Sequence, residues 1–171
     1  MIEFQDISKS YRRTRRGAGF GSAVKSLFRA EYDTVRAIDH ISFSIQRGEM
    51  VGYIGPNGAG KSTTIKILSG ILTPDGGMCL VDGQVPWEDR KEYVRRIGVV
   101  FGQRSQLWWD IPVEESFELL QAIYSVPMPR YRNTLEELTQ LLHLEELLKT
   151  PVRQLSLGQR MRCELAASLL H

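Results

Sequence analysis

The sequence predicts an α/β fold over residues 1–103 and a helical part over residues 104–171. Three observations point there. Short apolar runs separated by glycine turns recur as far as Phe101, alternating where one face is to be buried and continuous where both are. One continuous run, residues 50–54, leads straight into Gly55-Pro56-Asn57-Gly58-Ala59-Gly60-Lys61-Ser62-Thr63, which fits G-x-x-x-x-G-K-[ST] in full. Beyond Gln103 the strand patterns stop, and apolar residues recur three and four apart.

In chain order, Ile2-Glu3-Phe4-Gln5 alternates like a first strand, and Ile41-Ser42-Phe43-Ser44-Ile45 like a second. Between them lies a basic insertion, residues 12–36, with Arg12, Arg13, Arg15, Arg16, Lys25, Arg29 and Arg36 against Glu31 and Asp33. Its Gly17, Gly19 and Gly21 follow no strand, so they do not make a dinucleotide fingerprint. The insertion reads either as a solvated, flexible segment or as a basic surface facing anionic lipid headgroups or a partner. Val24, Leu27 and Phe28 would line one face of a short helix in it.

Residues 46–49 form a turn, and residues 50–54 read as a buried strand. The glycine loop then opens a helix with Ile65, Leu68 and Leu72 on its apolar face, ending near Pro74. Asp75-Gly76-Gly77 is a turn, Met78-Cys79-Leu80-Val81 a strand, and Asp82-Gly83 a second turn. A short helix over residues 89–95 precedes a buried strand over residues 97–101. In the helical part, Val113, Phe117, Leu120 and Tyr124 share one face, with Pro112 in the first turn and Asp110 just before it. Residues 125–129 break that helix. Thr134 and Glu137 make a capping-box pattern with Leu135, Leu138 and Leu142 behind it. A last helix runs from about Gly158 to the end, capped by Ser156 and Gln159, with Met161, Leu165 and Leu169 as its apolar side.

The chain has 171 residues, enough for one domain with a real core. It has no run of eighteen apolar residues and no basic start followed by an apolar stretch, so a cytosolic protein is expected. Cys79 and Cys163 lack metal-like or redox spacing and read as reduced packing residues. A net charge of +2 gives no argument for nucleic acid as a partner.

The chemistry of residues 55–63 follows from residue types. A polyphosphate is a compact multiple anion. Glycines let backbone curl around it in conformations that a Cβ forbids, and the curled N–H groups form an anion nest. The helix opening near Lys61 adds unpaired N–H groups and the positive end of its dipole. Lys61 is placed to bridge β- and γ-phosphates. Ser62 supplies a hydroxyl to Mg²⁺, which prefers oxygen ligands.

Many enzymes use such a loop, and a second motif narrows the choice. Leu155-Ser156-Leu157-Gly158-Gln159-Arg160 lies about a hundred residues downstream. Together with residues 55–63 and the isolated Gln103, it resembles the ATP-binding subunit of an ABC transporter over nearly the whole chain. Ser8-Lys9-Ser10-Tyr11 and Ala37-Ile38-Asp39-His40-Ile41-Ser42-Phe43 resemble that family's opening strands, and Gly83 the turn of its antiparallel β subdomain. Arg104-Ser105-Gln106-Leu107-Trp108-Trp109-Asp110 and the basic insertion resemble an exporter branch that pairs with a six-helix permease.

The resemblance implies a P-loop NTPase core over residues 1–103 and a helical subdomain over residues 104–171, with the signature at 155–160. It implies ATP and Mg²⁺ as ligands. Gly55, Pro56, Asn57, Gly58, Ala59, Gly60, Lys61, Ser62 and Thr63 hold the phosphates, and Tyr11 stacks on adenine or is a surface tyrosine at a strand end. Gln103 contacts Mg²⁺ or the attacking water. Ser156, Gly158 and Gln159 bind the γ-phosphate of ATP held by a second subunit, in a head-to-tail pair. Leu157 stands where the family more often has glycine. Trp108 and Trp109 either pack in the core or form a rim that receives the permease. A place on the cytoplasmic face of the membrane is implied, with export driven through the permease. The resemblance also implies an apolar strand ending in Asp-Glu beyond residue 171, so the 171 residues are expected to be a fragment, marginally stable, binding ATP with little or no turnover. His40, His143 and His171 do not match the family's γ-phosphate sensor. A soluble ATPase of translation or DNA repair is the alternative from the same superfamily.

Overall fold

Alternation at the start of the chain builds the first sheet. In the computed structural model, which describes residues 1–14, 32–102 and 105–171, β1 (Ile2–Thr14) pairs antiparallel with both β2 (Tyr32–Ile45) and β3 (Gly76–Val81), giving the order β2-β1-β3. Phe4 lies opposite Phe43 on one side and Cys79 on the other, so one face of three strands converges on a core of Phe4, Ile7, Ile38, Ile67 and Cys79. The Phe4 and Phe43 rings stack at 4.8 Å. The expected strands at residues 2–5, 41–45 and 78–81 are present, and β1 and β2 are much longer than the alternation alone marks. Asp82 and Gly83 have φ of 48° and 77°, so they form the tight turn that joins Val81 to Gln84. The chain divides into two compact units, Met1–Tyr93 and Val94–His171.

Gly76 and Gly77 begin β3 instead of forming a separate turn with Asp75. Gly77 has φ of +88°, and a Cβ there would lie 2.4 Å from the Asp6 carbonyl oxygen. The glycine lets β3 press against the irregular register of β1 between Gln5 and Ser8. Helix α1 (Lys61–Leu68) stops well before Pro74. Gly70, at φ of +69°, ends it: Gly70 N–H donates to Ile67 O and Ile71 N–H to Lys66 O, a paired-carbonyl stop. Ile67 reaches the core with Leu68 and Leu72 packed beside it, while Ile65 is exposed. The short helix α2 (Arg90–Val94) forms within residues 89–95 as expected.

Two expected strands do not form. Residues 50–54 make no strand, with Met50 101% and Ile54 92% exposed, and residues 97–101 make none either. A continuous apolar run becomes a buried strand only with paired edges and covered faces. Among the described residues no strand lies alongside either run.

In the second unit, α3 (Val113–Tyr124), α4 (Met128–Leu142) and α5 (Leu157–Leu169) surround a core that includes Val113, Phe117, Leu120, Leu138, Leu144 and Cys163. The predicted face of α3 is the buried one, and Ser125 ends the helix in a left-handed conformation. Pro112 is its N-cap, one position before the first turn, and Asp110 pairs with Arg153 at 3.1 Å instead of capping it. Helix α4 starts at Met128, so Thr134 and Glu137 lie inside it and cap nothing. Proline in a first turn lacks only an N–H that has no helical partner there, so Pro129 opens this helix where a break was expected. Helix α5 buries Cys163, Ala166 and Ala167, with Glu164 and Ser168, while Met161, Leu165 and Leu169 are exposed. The expected apolar side is reversed because small residues let the helix approach its core more closely than the long ones would.

Cys79 and Cys163 are free thiols, fully buried, and burial raises both from 9.0 to about 11. A thiol that ionises more readily unfolded than folded stabilises fully below its unfolded pKa and loses that contribution as pH rises through its folded value. The melting temperature should therefore hold steady up to about pH 9 and fall towards pH 11, and the fall should be smaller in a C79A/C163A double variant; thermal unfolding followed by circular dichroism against pH checks this.

Candidate functional site

The glycine loop lies in the first unit and ends in α1. Gly58 and Gly60 both have φ of +85°, and Gly60 is the N-cap of the helix. A Cβ at Gly60 would lie 2.3 Å from the Ala37 carbonyl oxygen, so only glycine fits. This N-cap carries no side chain to accept from the first-turn N–H groups, and none of them is capped. The first turn holds no acidic residue. It therefore offers N–H donors and a positive dipole end to an anion.

Lys61 sits over this loop. Its Nζ donates to the carbonyls of Gly55, at 2.6 Å, and Pro56, at 2.7 Å. The ammonium group is thus held among the loop residues by acceptors that a phosphate oxygen would outcompete in charge. The loop is tied down from behind. Thr64 is buried and its hydroxyl donates to Gly60 O at 3.2 Å, with the Tyr53 hydroxyl 3.4 Å away. Ser62 is exposed in the first turn. An exposed hydroxyl is a hard oxygen donor of the kind Mg²⁺ takes. Gln103 itself lies outside the described residues, as do Arg15, Arg16, Lys25, Arg29 and the expected helix at Val24, Leu27 and Phe28.

A second candidate helix start opens α5. Ser156 Oγ accepts from Gln159 N–H at 3.3 Å, and Gln159 Oε1 accepts from Ser156 N–H at 2.8 Å. The expected capping box is complete. It leaves the N–H groups of Leu157 and Gly158 without helical partners. Leu157 is 64% exposed, and nothing lies within 4 Å of a Cβ placed on Gly158. Among the described residues no crowding demands a glycine there, so its bareness favours close approach from outside.

The other candidates are scattered. Tyr11 is exposed on β1 opposite Val35, at the surface. Trp108 and Trp109 are 40% and 50% exposed, so neither packs in the core. The Arg160 guanidinium lies 5.5 Å from the Trp109 ring centroid. His40 Nδ1 faces Asp6 Oδ1 at 2.9 Å in the β1–β2 pair, His143 ends α4, and His171 Nε2 faces backbone carbonyls of Val94 and Ile97. The sequence reading missed Glu164, a buried carboxylate on α5. The available signal was a lone acid on a helix face otherwise made of cysteine, alanine and serine.

A sequence profile described as ABC transporter matches residues 38–171. The Nod factor export ATP-binding protein I of Ralstonia nicotianae is 35% identical over 160 residues, spanning 91% of this chain and 49% of that one. The probable multidrug ABC transporter ATP-binding protein YbhF of Escherichia coli is 32% identical over 135 residues, spanning 79% of this chain and 23% of that one. Among solved structures, the dimeric post-hydrolysis state of the ATP-binding cassette MJ0796 bound to ADP and Pi aligns with a TM-score of 0.75 at 24% identity, covering 99% of this chain and 69% of that one. The fold is therefore that of a P-loop ATPase of the ABC class, and the chain belongs to the ABC transporter family. It spans about half of the Ralstonia relative's length and under a quarter of the Escherichia one.

Gly60→Ala is expected to lower the melting temperature of the first unit, because the new methyl group meets backbone at 2.3 Å in a left-handed conformation, whereas Gly158→Ala should leave it unchanged or slightly raised. Differential scanning calorimetry of the two variants separates these outcomes.

Proposed function

We propose that this chain belongs to the ATP-hydrolysing subunit of an ABC-type exporter, working with a membrane permease and with a second copy of the subunit. The observation that carries the reading is the glycine-capped start of α1, with its uncapped N–H groups and Lys61 at its mouth. Residues 55–63 hold the triphosphate. Lys61 exchanges its two carbonyl acceptors for β- and γ-phosphate oxygens, a charge-assisted replacement of neutral hydrogen bonds. Ser62 and Gln103 supply oxygen ligands to Mg²⁺, which when bound neutralises charge between the β- and γ-phosphates. Tyr11 stacks on the adenine. Leu157 and Gly158 N–H groups with Ser156 and Gln159 meet the γ-phosphate from the opposite subunit, which explains an exposed glycine that this chain's own packing does not need. Residues 1–103 act as the nucleotide-binding core and residues 104–171 as the helical subdomain that faces the permease.

Relatives named for Nod factor export and multidrug transport support the export direction, although a methionine import protein of Enterococcus faecalis is also 33% identical. All these names are transporter subunits, which weighs against a soluble role in translation or DNA repair. No helix among the described residues is long and apolar enough to cross a membrane, so we place the chain peripherally on the cytoplasmic face, bound through the permease.

In the whole protein, Lys61→Ala should weaken Mg–ATP binding by about 10–100-fold, the loss expected for charge-assisted hydrogen bonds of about 1.5–3 kcal/mol. Isothermal titration measures it. Unchanged affinity in a folded Lys61→Ala variant contradicts the site.

A further inference from the structure

We infer that Glu164 is a positioning residue that fixes the segment Ser105-Gln106-Leu107 to α5, the helix that opens at Ser156. The inference rests on the functional reading above and adds to it a mechanical link. Glu164 lies on the third turn of α5 and is 4% exposed. A carboxylate buried that far must be met by donors. Among the described residues, its donors come from one segment. Ser105 hydroxyl donates to Glu164 Oε1, and Gln106 N–H donates to Oε2 at 3.2 Å. The Gln106 side-chain amide also donates to the Glu164 carbonyl, at 3.3 Å. Ser105 Oγ in turn accepts from Leu107 N–H at 3.1 Å, which folds the segment on itself. Leu107 is then buried in the helical core.

The link joins two stretches far apart in sequence. The segment begins two residues after Gln103 in sequence, and α5 begins with the residues that carry the signature. Among the described residues, no other side chain on α5 bonds residues 105–107. A cleft lined by Phe101, Gly102, Ser105, Trp109, Arg160 and Glu164 lies at the same place, so the clamp is at the surface edge of the unit and not deep in its packing. A displacement of residues 105–107 is therefore passed to α5, whose first turn carries Ser156, Gly158 and Gln159. The clamp includes none of residues 55–63, which hold the phosphates within one copy.

The test compares Ser105→Ala, Glu164→Leu and Glu164→Gln in the whole protein, with Lys61→Ala as control, by steady-state Mg–ATP turnover. The clamp predicts kcat about tenfold lower in Ser105→Ala and Glu164→Leu at unchanged KM for ATP. Glu164→Gln should recover to within about threefold, because its amide oxygen accepts from Gln106 and its amide nitrogen donates to Ser105, whose own proton turns to the Leu107 carbonyl. The Ser105→Ala/Glu164→Leu double variant should be no slower than Glu164→Leu alone, since both remove one interaction. Ser105 is exposed, so Ser105→Ala decides the matter even if Glu164→Leu does not fold. A kcat within about twofold of wild type in Ser105→Ala, a loss that appears in KM alone, or additive losses in the double variant overturn the clamp. Wild-type turnover in Lys61→Ala overturns the functional reading beneath it. Wild-type turnover in Ser105→Ala beside an inactive Lys61→Ala overturns the clamp alone.

Discussion

An α-helix begins with N–H groups that no residue of the helix can satisfy, and both parts of the candidate site are built on that constraint. The chain resolves it in two different ways. At α1 the capping position is a glycine in a left-handed turn, which contributes no acceptor and holds the first turn open. At α5 the capping position is a serine that satisfies the Gln159 N–H and leaves those of Leu157 and Gly158 bare. The first arrangement suits an anion that is enclosed by the loop. The second suits an anion presented from outside, to a helix that is already stable without it.

The surroundings serve these two helix starts. The β2-β1-β3 sheet buries Phe4, Ile7 and Cys79, and α1 packs Ile67 onto the same core. Thr64 ties Gly60 to the helix, and the Tyr53 hydroxyl lies beside it. In the helical unit, cysteine and alanine on the buried face of α5 draw it close to α3 and α4, and Arg162 binds the carbonyls of Leu142 and His143 at the end of α4. The apolar packing behind each helix start comes from residues not proposed to touch nucleotide, while Gly60, Ser156 and Gln159 are fixed by hydrogen bonds of their own. Such support is what preorganisation requires.

Local chemistry was legible in the sequence where a few neighbouring residues decide the outcome. The glycine loop needs φ above zero at Gly58 and Gly60, the capping box needs only Ser156 and Gln159, and the Asp82-Gly83 turn needs only itself. Features set by distant partners were not legible. Residues 50–54 read as a buried strand because their composition suits one, but pairing depends on strands elsewhere in space. The reversed face of α5 shows the same limit: periodicity names an apolar stripe at Met161, Leu165 and Leu169, while close packing selects Cys163, Ala166 and Ala167. Glu164 escaped notice because its donors lie 58 and 59 residues away. Proline at Pro129 misled in the opposite sense, since the same ring that breaks a helix interior is welcome in its first turn.

The central claim is that the loop at residues 55–63 and the start of α5 close on one nucleotide from two different copies of the chain. The most direct measurement mixes two inactive forms of the whole protein, Lys61→Ala and Gly158→Asp, the second chosen because none of the described residues crowds that position. A mixed pair then contains one clasp with both halves intact and one with both halves broken. The account predicts that Mg–ATP turnover, absent in either variant alone, returns on mixing. Turnover that stays at the level of the separate variants, with mixed pairs shown to form, would contradict it.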